Sequence, residues 1–220
     1  MKLLQFNQLG DSIGGLKESF DNLPHTNHKD GKYRLRRYST IELRTSFWNA
    51  KEEAVIERLE HGDFKQSEDY NKHQGGIARS FEEIEESTLQ SEGMKEICLA
   101  FKNGFELIGG QEIEIHQMRV ITQEDGTARV SPEGVHQDGF NYISMIGVSR
   151  SNAQGGELLL YEGKNSEPFM RRALKDGEMV MIRDDELWHN ATPIAAKTHV
   201  IDQAKEAYAD WFILCAKNNN

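Results

Sequence analysis

Apolar and polar positions follow two different rhythms, and the change falls near residue 110. In the first part, Asn49 followed by Glu52 has the spacing of a helix N-cap. Val55 and Leu59 then lie one turn apart, which predicts a helix ending at Gly62. Ser80 with Glu83 repeats the capping pattern. Beyond it Met94, Ile97, Cys98, Phe101 and Phe105 form an apolar stripe at helical spacing, with Gly93 as a candidate break. The acidic cluster Glu82, Glu83, Glu85 and Glu86 reads as a solvated face near that helix start. In the second part, short alternating runs predict strands at roughly 111–122, 129–136, 141–149, 157–162, 178–183, 197–201 and 209–217. Asp125-Gly126 and Asp176-Gly177 mark turns between them. The pattern predicts an α+β, mainly β chain: an antiparallel sandwich or barrel with helices packed from the N-terminal side.

The 220 residues fit one domain, 1–220, divided into a helical or irregular part (1–110) and a β core (111–217). Apolar residues make up 37 %, enough for a core. Lys and Arg number 26 against 36 Asp and Glu, a net charge of −10, which argues against nucleic-acid or anionic-membrane partners. Cys98 and Cys215 form no metal or disulfide pattern and read as packed thiols. With no signal-peptide core at the N-terminus and no long apolar run, a cytoplasmic location is expected. A nucleophile elbow, a phosphate-binding loop and a dinucleotide fingerprint are all missing from the sequence.

Metal chemistry remains. In a strand, His136 and Asp138 of His136-Gln137-Asp138 point to the same side and can close on one ion. A third ligand has to come from elsewhere, and His189 is the best placed candidate. Two histidines and a carboxylate on one face of an octahedron form the facial triad of non-haem Fe(II) oxygenases, with open positions for cosubstrate and dioxygen. The His-x-Asp spacing alone also fits a surface pair.

Six stretches in order narrow the reading: Tyr33–Ser39, Gly75–Phe81, His116–Arg119, Pro132–Gly139, Gly155-Gly156-Glu157 and Trp188–Pro193. Together they resemble the 2-oxoglutarate- and Fe(II)-dependent dioxygenases of the bacterial free-amino-acid hydroxylase, isoleucine dioxygenase-like, type. The resemblance covers about residues 30 to 215. It implies a double-stranded β-helix (jelly-roll, cupin-like) core, Fe(II) as cofactor and 2-oxoglutarate as probable cosubstrate. Dioxygen and a small-molecule substrate, by analogy a free L-amino acid, would complete the reaction.

The resemblance also implies an Arg at position 209 to hold the distal carboxylate of 2-oxoglutarate, where this chain has Ala209. Three readings stay open: another cation has taken over, the electrons come from something other than 2-oxoglutarate, or the chain is a non-catalytic regulatory relative. Arg119 is the first replacement, because Ile113, Ile115, Gln117, Arg119 and Ile121 share one parity, taken here to face inward. Gln117 and Thr192 join it as cosubstrate-binding candidates; Arg183 and Lys197 are weaker ones. His116 has the opposite parity and reads as structural. In the basic run Arg34, Arg36, Arg37, the candidates for a substrate carboxylate are Arg36 and Arg37.

Overall fold

The computed structural model describes residues 3–68, 73–197 and 207–218. It contains strands β1 (Leu4–Gln8), β2 (Arg34–Trp48), β3 (Lys51–Arg58), β4 (Gln111–Ile121), β5 (Thr127–Ala128) and β6 (Tyr142–Ser151). There follow β7 (Ala153–Gly155), β8 (Leu158–Tyr161), β9 (Met170–Arg172), β10 (Glu178–Arg183), β11 (Trp188–Ala191), β12 (Ile194–Ala196) and β13 (Tyr208–Ala216). Helical segments are a 3-10 helix (Asp11–Phe20), α1 (Glu86–Leu89) and α2 (Glu92–Phe105). A seven-stranded antiparallel sheet runs β1-β10-β6-β13-β4-β2-β3, and two three-stranded sheets, β11-β8-β9 and β5-β12-β7, complete a jelly-roll.

The large sheet is covered on both faces, and this decides where the site lies. Alternate side chains of β4 enter different cores. Ile113 and Ile115 join Leu16, Phe20, Met94, Ile97, Phe101 and Phe105 under the helices. Met118 and Val120 join Leu158, Leu160, Ile194 and Trp211 inside the roll. Helix α2 carries the predicted apolar stripe, but its cap is Ser91, whose side chain accepts from Met94 N, rather than Ser80. Gly93 does not break it. A Cβ there would stand 2.8 Å from Ser12 O and 2.9 Å from Leu16 Cδ1, so glycine lets α2 sit tightly on the 3-10 helix.

Other expectations give way to local geometry. The helix predicted after Asn49 is strand β3. Asn49 and Ala50 both have positive φ (49° and 62°) and form the two-residue turn that pairs Trp48 with Lys51. Ala54 and Ile56 are buried while Lys51, Glu53 and Val55 are exposed, which is alternation of period two rather than a helical face. Residues 1–110 are therefore not helical or irregular as a block: β1, β2 and β3 belong to the large sheet. The strand predicted at 129–136 is also absent. Between β4 and Pro132 there is only the two-residue β5, and Gly134 turns with φ 79°. Strands β4, β6, β8, β10 and β13 lie where they were predicted. The run predicted at 197–201 falls outside the described residues except Lys197.

Candidate metal centre

His136 and His189 face each other across an isolated antiparallel bridge, each backbone N–H donating to the other's carbonyl at 2.9 Å. That places two imidazoles side by side, their ring centroids 4.3 Å apart. Asp138, two residues beyond His136, completes the group, and one donor atom from each residue lies within 4.8 Å of the others. Asp138 Oδ1 is 3.4 Å from His136 Nε2, and its Oδ2 is 3.4 Å from His189 Nε2.

The remaining ring nitrogens are already engaged. His136 Nδ1 lies 2.8 Å from Gly134 O, which fixes its proton there and leaves Nε2 free to ligate. His189 Nδ1 lies 3.3 Å from Asp184 Oδ1, an ion-pair distance rather than an aligned hydrogen bond. Two neutral imidazole nitrogens and a carboxylate oxygen, all converging on one point, suit Fe(II) held facially. Burial opposes the charge on His189, yet Asp138 and Asp184 outweigh it and push the imidazole up to about 10. Burial likewise works against Asp138, but the two histidines hold it well below the usual carboxylate range.

Asp184 was not singled out in the sequence, although it lies in the turn that precedes His189. Its side chain is fully buried, and its Oδ2 accepts from three consecutive amides, Asp138 N (2.9 Å), Gly139 N (3.0 Å) and Phe140 N (3.3 Å). One carboxylate thus holds the loop that carries Asp138 and faces the imidazole of His189. No periodicity marks such a residue, because its partners are backbone amides of a distant segment.

The triad opens into a cavity of about 110 Å³ that is lined by Arg34, Arg36, Arg79, Glu133, His116 and Met118, among others. Arg36 comes from β2, and its Nη2 lies 3.4 Å from Met118 Sδ. Among the described residues no carboxylate comes within ion-pair distance of it. Burial, with repulsion from Arg34 and Arg79, pushes Arg36 down to about 9, still a cation at neutral pH. Arg79 is buried over the Phe64 ring and donates through Nη2 to Gln66 Oε1 (3.0 Å), again with no carboxylate partner among the described residues. Gln66 in turn donates to Asp138 Oδ1 at 2.8 Å. His116 packs between Tyr38 and Phe64 on the cavity wall. Burial first, then the Arg36 charge, holds it neutral, and its parity, taken to face away from the site, is the one that faces the cavity.

Four of the predicted binding residues lie elsewhere. Arg119 does face a core, but the one outside the roll: it grips Asp210 through Nε (2.7 Å) and Nη2 (2.9 Å), reaches Asp21 through Nη1, and lies over Tyr208. Gln117, on the same face, donates to Ser19 O and Oγ. Arg37 is spent on Glu82 and on the carbonyls of Glu83 and Asn22. Thr192 Oγ1 accepts from Glu157 N and fastens the start of β8. For Arg119 and Gln117 the reason is the parity itself. An apolar parity shows that a face is buried, and in a sheet covered on both sides that does not make it the cavity face. Of the weaker candidates, Arg183 pairs with Asp185. Ala209 is buried inside the roll, in register with Val120 and Arg150, and does not line the cavity.

Among solved structures, a BsmA homologue from Methylobium petroleophilum PM1 superposes with a TM-score of 0.76 at 23 % identity, covering 95 % of this chain and 82 % of that one. IDO from Bacillus thuringiensis superposes at 0.71 and 18 % identity, covering 99 % and 95 %. The Fe(II)/α-ketoglutarate-dependent dioxygenase TqaL gives 0.63 and 14 %, covering 99 % and 83 %. No curated protein matches the chain. The family model described as 2OG-Fe dioxygenase matches residues 17–215, and the chain belongs to that family.

Proposed function

We propose that this Fe(II)- and 2-oxoglutarate-dependent dioxygenase hydroxylates a small carboxylate-bearing molecule, a free L-amino acid by the resemblance of its motifs. The single observation that carries this reading is the cavity next to the triad, where Arg36 and Arg79 present guanidinium groups without a carboxylate partner among the described residues. Fe(II) with 2-oxoglutarate and dioxygen supplies the oxidising power for attack on an unactivated C–H bond. The chain's own part is to hold and orient. His136, Asp138 and His189 are the ligands, fixed by Gly134 O, Gln66 and Asp184. Two carboxylates must be anchored, the distal one of 2-oxoglutarate and that of the substrate, and two cavity arginines are available. A guanidinium suits either through paired hydrogen bonds. Apolar walls from Phe64, Met118, Val130, Ile143 and Leu158 exclude water around them.

The test is an anaerobic titration of the Fe(II)–2-oxoglutarate protein with free L-amino acids, reading changes in its visible absorption, followed by amino-acid-dependent succinate release in air. A visible band that no amino acid perturbs, with succinate release that none stimulates, refutes the substrate class.

A further inference from the structure

Two acids line the cavity, Asp138 and Glu133. Asp138 belongs to the triad and accepts from Gln66. Glu133 has no such employment. Its side chain is only 10 % exposed, and its Oε2 is sealed from solvent without a hydrogen-bond partner. Its Oε1 lies 3.5 Å from His136 Nε2. That nitrogen cannot serve Glu133 when it ligates a metal, because the ring proton is then on Nδ1, facing Gly134 O. Arg36 and Arg79 feel the Glu133 charge, but neither comes within ion-pair distance. A carboxylate oxygen sealed from solvent with no donor is costly to maintain unless something brings a donor to it.

We propose that Glu133 receives the ammonium group of the substrate while a cavity arginine receives its carboxylate. The inference rests on the amino-acid reading above and assigns the acid that such a substrate requires. An ammonium brings three donors and a full positive charge, enough to satisfy both oxygens of Glu133. With Arg36 and Arg79 also on the wall, the cavity has poles of both signs and selects a zwitterion over a plain carboxylic acid or a plain amine.

The experiment compares wild type, Glu133→Gln and Glu133→Asp as anaerobic Fe(II)–2-oxoglutarate protein. Each is titrated with free L-amino acids and with the matching des-amino carboxylic acids. The expected result is that Glu133→Gln weakens amino-acid binding by about 30-fold or more, as loss of a buried charge partner does. Des-amino acids should bind as they do to wild type, and Glu133→Asp should recover part of the loss. Fe(II) affinity, titrated separately, should be unchanged. If wild type binds amino acids and Glu133→Gln binds them equally well, Glu133 is not their partner and the substrate class still stands. If wild type itself binds no amino acid, the substrate class and this role fall together. If Glu133→Gln loses Fe(II), Glu133 is a metal ligand and the proposal is overturned.

Discussion

Replacing Asp184 by Asn tests how far the metal centre depends on one buried carboxylate. The side chain keeps its size and loses its charge. In wild type, Oδ2 gathers the amides of Asp138, Gly139 and Phe140 while Oδ1 faces His189 Nδ1. Asn has one acceptor oxygen, and the three amides claim it. Its NH2 then faces His189, which favours an imidazole with Nδ1 accepting and the proton on Nε2, the nitrogen needed for the metal. Loss of an outer partner of this kind costs 10- to 100-fold in metal affinity, about 1.4–2.7 kcal/mol. Exchanging three charge-assisted hydrogen bonds for neutral ones costs a further ~1–3 kcal/mol of stability. Anaerobic Fe(II) titration reads the first quantity and urea unfolding the second. The distinguishing result is reduced Fe(II) affinity in protein that is still folded. An Asp184→Asn variant that binds Fe(II) as tightly as wild type would refute the tautomer argument.

Four further outcomes follow from the same geometry. His136→Ala and His189→Ala should each abolish stoichiometric Fe(II) binding while the fold persists, as read by metal analysis and circular dichroism. Arg119→Ala should leave 2-oxoglutarate affinity unchanged but destabilise the protein by about 3 kcal/mol, because Asp210 stays buried without its partner; calorimetric binding and urea unfolding separate the two. Arg36→Ala should weaken binding of 2-oxoglutarate or substrate by about tenfold or more in titration of the Fe(II) protein, and equal affinity for both would remove it from the site. In the metal-free protein, His189 is raised from 6.5 to about 10, so its contribution to stability is complete below about pH 6.5 and is lost as pH rises through 10. Fe(II) must displace that proton, so its affinity should climb across the same interval, and calorimetry in buffers of different ionisation heat should detect proton release.

The triad was legible because its chemistry needs particular residue types, and His136, Asp138 and His189 recur in a recognisable order of motifs. Strands β4, β6, β8, β10 and β13 were legible for a different reason, local alternation between clear turns. What escaped was whatever depended on a partner distant in sequence. Asn49 and Ala50 carry a hairpin because β3 finds β2, while Asn49-x-x-Glu52 taken alone is an adequate helix start. Arg119 lies on a buried face, and only the packing of the 3-10 helix shows that this face lies outside the roll. Arg79 lies in Gly75–Phe81 and Glu133 in Pro132–Gly139, yet nothing local says that they line the same cavity as Arg36.

Asp184 and the amides it holds are 44 to 46 residues apart in the chain. Drawing such a loop shut costs about 3 kcal/mol of chain entropy by its length alone, before any contact repays it. That cost falls once the strands in between, β6 to β10, have found their neighbours. This predicts that the metal centre is an endpoint of folding and not a seed for it. A nascent or partly unfolded chain offers His136 and Asp138 without His189 beside them, a weak hold on a metal ion, and iron loading becomes a report that the roll has closed.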